Sequence, residues 1–555
     1  MDKNIARKKI LFLTFFSILF FILWNNFVVK PLVEKQNRKI INKVEEVATK
    51  IEEEKNNESQ NLDIKENIVT IENEYIIGDI STKGLVFDNI YLKKYKKTVK
   101  SEEFVQLLSK DFYIDFGILS SDVRVPTKNT VWNFDKEKLD QNSSVTFTYD
   151  NNEGIIFKVI LSVDDKYMIN VEQIIENNTD KQIRVRPYVQ LSKSYVVDRK
   201  NFSVMKISGV FNKKFNEVKL SKLKSKNIEF SNPTWFSISD KYWSVNILPE
   251  NQNVKVNFLK ENDVYKAQSI AENDNIIEAK NTLSVKNKVF TGAKELKIID
   301  EYQKELNIPL FDRMVDFGAL YILTKPLYLI LRFINSLVGN FGVAILILTL
   351  IVKMLLYPST KKSFMSVARM RKIQPEMARI QERYKNNKIE LNQRLMKLYK
   401  DNNVNPLSGC LPMILQIPVF FALYKVFVVA IEMRQASFFG YIQDLSASDP
   451  TNIFNLFGLL PFDTGLKIGL LPCLTALTMY IQQKLNENVG DEDSTNPNAQ
   501  AMTASMKYMP LIFLFMFASF PTGLLLYWLF SNIISIIQQF WINKKVASEK
   551  VRKMN

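Results

Sequence analysis

Lys353 stands among apolar neighbours, inside the run Leu346–Tyr357 and five residues before Pro358. An ammonium in hydrocarbon is costly, and such groups mark ion or substrate paths. The chemistry open to it is attraction: a fixed cation draws carboxylates without making or breaking a bond. Two readings compete. The side chain can snorkel to the near interface, since five residues of helix rise only ~7.5 Å, or it can face a wet cavity. Thr349 lies one turn away on the same face. The last apolar run carries its own polar stripe, Trp528, Asn532, Ser535 and Gln539, stepping by four, three and four. Two stripes in the cytoplasmic halves of different helices favour a shared cavity, because polar groups in hydrocarbon need partners. Ordinary hydrogen bonding between helices accounts for the second stripe equally well. Lys425, in the outer half of its run, is expected to snorkel outward near Glu432.

Other chemistry is largely excluded. The 555 residues include no histidine, so triads, Cys-His pairs and HExxH zinc sites are absent. Cys410 and Cys473 are the two cysteines, far apart within apolar runs, which gives neither a CxxC site nor a disulfide framework. None of the 16 glycines precedes a lysine, so no Walker A phosphate loop exists. The expectation is a protein that is not an enzyme, with no cofactor and no metal. A net charge of +16 is compatible with nucleic-acid binding, membrane-surface attraction or a lysine-rich composition, and the placement of the charges decides.

The elements that position these lysines come next. Lys3, Arg7, Lys8 and Lys9 precede the apolar run Ile10–Val29, about the ~20 residues of a span. Lys30-Pro31 follows it in place of a signal-peptidase site, so 1–31 reads as an uncleaved anchor with its N-terminus in the cytoplasm. Residues 32–66 read as a charged linker. From 67 to 305 the pattern is strand-like: Val145–Tyr149 alternates, and Ile155–Val163 and Met168–Ile175 flank a turn at Asp164-Asp165. Helical periodicity is scarce until about Lys294. One large all-β sandwich outside the cytoplasm is expected.

Further spans are expected at Asn340–Tyr357, Cys410–Ile431, Leu466–Ile481, Ala504–Phe520 and Gly523–Trp541, which makes six with the anchor. The segment 359–405 holds twelve Lys and Arg against four acids, and the positive-inside rule places it in the cytoplasm. That topology requires the apolar segment within 306–339, which contains Lys325-Pro326 and Arg332, to lie in the outer interface as an amphipathic helix. Both termini, including the basic tail 544–555, are then cytoplasmic and 32–339 is periplasmic. The excess charge is a topology signal, and no direct nucleic-acid contact is expected.

Within 359–405, Phe364, Val367, Met370, Ile373, Met377, Ile380 and Tyr384 recur by three or four, Asn386-Asn387 makes a turn, and Leu391, Leu395 and Leu398 continue the pattern. This predicts a helical hairpin with one apolar and one basic face, either simply solvated or a docking surface for ribosomes and nascent chains. Leu466–Ile481 is short and contains Pro472, and Cys410–Ile431 contains Pro412 and Pro418. Short spans thin the bilayer. Met502, Met506, Met509 and Met516 cluster around the fifth of these runs, by packing need or as adaptable contacts.

Asn340–Pro358 with Lys353, Asn405–Pro412, Gln416-Ile-Pro418, Phe520–Leu524, Val338–Gly342 and Ser531–Ile534 together closely resemble the YidC family of membrane protein insertases, over roughly 311–543. Residues 67–305 resemble, less closely, the large periplasmic domain of its Gram-negative members. The resemblance implies a bacterial inner-membrane α-helical bundle of six transmembrane helices. Its five-helix insertase core, 340–543, surrounds a hydrophilic groove open to cytoplasm and lipid. The periplasmic part would be a β-supersandwich similar to galactose mutarotases, whose usual catalytic pair needs a histidine this chain lacks.

By position, the resemblance makes Lys353 the groove cation and places Thr349, Gln416, Tyr527 and Trp528 along the groove or its mouth. Ile417, Pro418, Val419, Met516 and Phe520 would meet substrate helices. The implied partners are nascent membrane proteins, the Sec translocon, the ribosome and membrane lipids. Two departures stand out: the family's usual cation is arginine, whose planar fork lysine lacks, and Trp528 replaces a common tyrosine. The rival readings are an ion or solute transporter or channel and a membrane-anchored carbohydrate-active enzyme. The transporter would call for inverted repeats and midplane acids, and the last five runs contain no midplane Asp or Glu.

Overall fold

The structure is a computed structural model that describes residues 68–194, 205–224, 227–250, 253–384, 386–402, 404, 411–458, 467–486 and 508–554. The expected anchor and linker over 1–66, the motif residues 405–410 and two of the clustered methionines lie outside the described residues.

Alternation of apolar and polar side chains builds the first half. In Ile155–Val163 the odd positions Ile155, Phe157, Val159, Leu161 and Val163 are buried, as a half-buried strand requires. This strand pairs antiparallel with Met168–Asn177, Ile169 opposite Val163. Asp164 closes the turn between them, its Oδ1 accepting the amides of Lys166 and Met168 at 2.9 Å each. Among the described residues, twenty strands between Ile68 and Ala293 form two sheets, of eleven and nine strands. Aromatic pairs join the sheets: Phe211 stacks on Phe230 at 4.3 Å, and Phe236 meets Phe258 edge-on at 6.4 Å. The expected all-β sandwich is present.

Helix α1, Leu296–Glu305, begins where the strand pattern ends and buries Leu296, Ile298, Ile299 and Tyr302. The Tyr302 hydroxyl donates to Asp164 Oδ2 at 2.6 Å, tying the helix to the hairpin turn. At its head Lys294 is enclosed, donating to the Asp240 carbonyl at 2.7 Å and to Ser239 Oγ at 3.2 Å. Burial pulls its amine down to about 7. The chain leaving α1 stays on the sandwich: Trp235 Nε1 donates to the Pro309 carbonyl at 3.1 Å, and Phe311 packs edge-on against Trp235 and Phe290.

The second half is helical: α2 Tyr321–Val338, α3 Phe341–Arg383, α4 Lys388–Asp401, α5 Leu411–Val429, α6 Leu470–Asn486, α7 Tyr508–Phe517 and α8 Thr522–Met554. Asn340 caps α3, its side chain accepting the Val343 amide at 3.1 Å, and Asn387 caps α4 through the Glu390 amide at 3.2 Å. The expected hairpin forms from the end of α3 and α4. Met370, Ile373, Met377, Leu398 and Val404 make its small core, and Phe364 and Ala368 pack on Ile542 of α8.

One expectation changes. The span expected to stop at Tyr357 and the first hairpin helix are one continuous helix, α3, running through Pro358 and Pro375. Each proline removes a single backbone donor, and the flanking turns carry the helix on. Among the described residues three helices are long and apolar enough to cross a membrane: Tyr321–Val338, Phe341–Met370 and Thr522–Lys544. Helices α5 and α7 each begin directly after residues outside the described ones, and their apolar stretches Ile414–Val429 and Tyr508–Phe517 are shorter. The segment read as interfacial, α2, meets this length and mean hydropathy although it carries Thr324, Lys325, Arg332, Asn335 and Ser336. Lys325 there turns back to Asp312 at 2.6 Å.

Candidate functional site

Helices α3 and α8 face one another, and their buried faces change character along their length. Near the starts the contact is apolar, with Ala344, Ile345 and Leu348 on α3 and Leu524 and Leu525 on α8 buried. Toward the hairpin it becomes polar. Lys353 Nζ donates to Ser535 Oγ at 2.8 Å, and Ser535 Oγ in turn donates to the Ser531 carbonyl at 3.0 Å. Lys353 is half-buried, and among the described residues no carboxylate pairs with it. It therefore turns inward to α8. An ammonium carries three donors, so the Ser535 contact leaves capacity for an acceptor arriving from outside.

The remaining predicted residues separate. Thr349 is fully buried and its hydroxyl donates to the Ile345 carbonyl of its own helix at 2.7 Å. Gln416 Nε2 donates to the Tyr527 hydroxyl, a strut between α5 and α8, with Tyr527 itself buried. The stripe on α8 divides. Ser535 meets Lys353, whereas Asn532 donates to Thr478 Oγ1 of α6 at 3.1 Å and Gln539 points toward the Leu485 carbonyl.

Trp528 joins neither set. Its ring lies edge-on to Phe420 at 4.6 Å and meets Phe517 at 5.2 Å and Phe513 at 5.9 Å. Phe520 stacks beside Phe420 at 6.3 Å. This aromatic cluster backs an outward-facing apolar wall, where Ile417, Pro418 and Met516 are exposed and Val419 is half-buried. The sequence reading missed Phe420, Phe513 and Phe517. The signal available was the four-residue step Gln416, Phe420, Tyr424 on α5.

The other end of the bundle is closed by the loop 436–452. The Leu445 carbonyl accepts the Gly523 amide at 2.9 Å, and the Ala447 carbonyl accepts Thr522 N at 2.7 Å and its hydroxyl at 2.8 Å. Asp449 accepts the Leu471 amide at 2.8 Å at the start of α6. Two close approaches admit only glycine: a Cβ on Gly342 would stand 2.0 Å from the Phe438 ring, and one on Gly469 would stand 2.3 Å from the Asp449 carboxyl carbon. The loop is thus pinned to the first turns of α3, α6 and α8. Lys425, expected to snorkel outward, meets Asp316 at this end, at 2.8 Å. No group of three or more Cys, Asp or Glu suited to a metal occurs among the described residues.

Two family models match the chain: the 60Kd inner membrane protein over residues 333–550 and the YidC periplasmic domain over residues 68–330. A membrane protein insertase YidC of Rickettsia conorii is 40% identical over 575 aligned residues, covering 98% of this chain and 100% of that protein. One of Rickettsia typhi is 41% identical over 568 residues with the same coverage. A crystal structure of an active YidC insertase aligns with 85% of this chain and 91% of its own, at 18% identity and a TM-score of 0.36.

Proposed function

The chain belongs to the YidC family of membrane protein insertases, and from that premise we propose how its residues carry insertion. It is an inner-membrane protein with a periplasmic β domain, and its substrates are membrane proteins. The relatives give no support to a transporter.

In our reading the membrane part is a six-span bundle whose first span precedes residue 32, with α2 at the outer interface. Helices α3, α5, α6, α7 and α8 form the insertase core. The polar seam between α3 and α8 is a groove open to the cytoplasm and the lipid, and the loop 436–452 seals its outer end. A substrate's polar tail enters the groove, where Lys353 attracts its acidic residues. The apolar segment that follows lies on the wall of Ile417, Pro418, Val419, Met516 and Phe520. Trp528 and the Gln416–Tyr527 strut hold that wall in place, and Thr349 packs behind Lys353.

Hydrophobic partition supplies the driving force. Removing about 400 Å² of apolar surface from water yields roughly 10 kcal/mol, enough to offset a short polar tail. The membrane potential adds about 2.3 kcal/mol per charge per 100 mV. No covalent step is involved. The basic hairpin is a docking surface for the ribosome or the emerging chain, and the protein works alone or with the Sec translocon.

The observation that carries this reading is Lys353, half-buried, turned inward to Ser535 and lacking a carboxylate partner among the described residues. A surface-seeking lysine would point the other way. The test is insertion of a single-span protein with a short acidic tail into liposomes. Insertion should require the full-length protein and fall several-fold with Lys353→Ala. Equal insertion into empty liposomes, or an unimpaired variant, would remove Lys353 from the mechanism.

A further inference from the structure

A lysine stem of four carbons has many rotamers, and the membrane interface near Pro358 lies within its reach. Something must select the inward one. Among the described residues no hydrogen bond joins Lys353 to Thr349, whose hydroxyl donates to the Ile345 carbonyl at 2.7 Å. Ser535 has the right geometry. It is 4% exposed, its hydroxyl proton is directed to the Ser531 carbonyl at 3.0 Å, and its oxygen lone pairs are left to accept Lys353 Nζ at 2.8 Å. A hydroxyl donates once and accepts twice, so the backbone bond orients the acceptor toward α3. Alanine would remove the one side-chain acceptor that Lys353 has among the described residues.

We infer that Ser535 is a positioning residue for insertion: it holds the Lys353 ammonium inside the groove, where a carboxylate on the incoming tail can pair with it. The anchor also couples charge to wall. Ser531, whose carbonyl orients Ser535, has its side chain against the Tyr527 hydroxyl, and that hydroxyl accepts Gln416 of α5. The cation and the substrate-facing helix are therefore linked through three consecutive turns of α8. This inference rests on the groove reading of Lys353 and extends it to a residue that never touches substrate.

The experiment compares two substrates that differ only in the tail, one acidic and one with the acids replaced by their amides, inserted by full-length protein in liposomes. Ser535→Ala should lower the acidic-to-neutral insertion ratio about tenfold, the lower end of the weight of one hydrogen bond to a charge. Ser535→Thr, which keeps the hydroxyl, should restore it. The thermal midpoint should stay near that of the parent, and labelling of Lys353 by an amine-reactive reagent from the cytoplasmic side should increase. An equal loss for both substrates would mean a purely structural role and overturn the inference. An unchanged ratio in Ser535→Ala alongside a reduced one in Lys353→Ala would overturn it while leaving the groove reading intact. Unchanged ratios in both would overturn both.

Discussion

The Asp316 carboxylate, in the segment joining the β domain to α2, receives Lys425 of α5 at 2.8 Å. The same oxygen receives Lys206 of the sandwich at 2.9 Å. One acid thus joins α5, which carries Ile417, Pro418 and Val419, to the β domain. Burial pushes Asp316 up, but hydrogen bonds from Lys425 and Lys206 outweigh it and hold the carboxyl at about 2. Its folded value lies below its unfolded one, so its contribution is full above pH ~4 and disappears as pH falls toward 2. Asp316→Asn should lower the thermal midpoint at pH 7 by several degrees and abolish that acid-range loss. A scan of midpoint against pH from 7 to 2.5 checks it.

Lys294 gives the opposite slope. Burial brings its amine down to about 7, below an ordinary lysine, so the unfolded chain binds the extra proton between pH 7 and about 10. Stability of the β domain should rise across that interval, by up to a few kcal/mol. Lys294→Met should flatten the rise, as read by denaturant unfolding at pH 7, 8 and 9. A parallel rise in the variant would assign the slope to other groups.

The outer seal depends on the approach of Phe438 to Gly342, where a Cβ would stand 2.0 Å from the ring. Gly342→Ala must displace the ring and with it the loop 436–452, at a cost of about 1–3 kcal/mol. Faster proteolysis of that loop, with the β domain still resistant, is the expected outcome.

Much of this arrangement was legible in the sequence because it is periodic and local. The alternation in Ile155–Val163, the Asp164 turn, the onset of helix near Lys294 and the stripe from Phe364 to Leu398 all follow from neighbours within a few positions. Relations between distant segments were not. The Lys353 stripe and the α8 stripe were visible, but periodicity could not assign Ser535 to Lys353 and Asn532 to Thr478. Trp528 read as one more polar position, and only its contacts with Phe420, Phe513 and Phe517 place it in an aromatic cluster. The continuity of α3 through Pro358 was also hidden, since proline marks a probable helix boundary without enforcing one.

The central claim is that an inward-facing cation at position 353 receives the substrate's acidic tail. It is tested most directly by reversing charge on both sides. Insertion into liposomes is measured for otherwise identical single-span substrates with a two-aspartate or a two-lysine tail, using the parent protein and Lys353→Glu. The account predicts a crossover: the parent favours the acidic tail, and Lys353→Glu disfavours it while gaining on the basic one, each by about tenfold. The same preference in both proteins would contradict it.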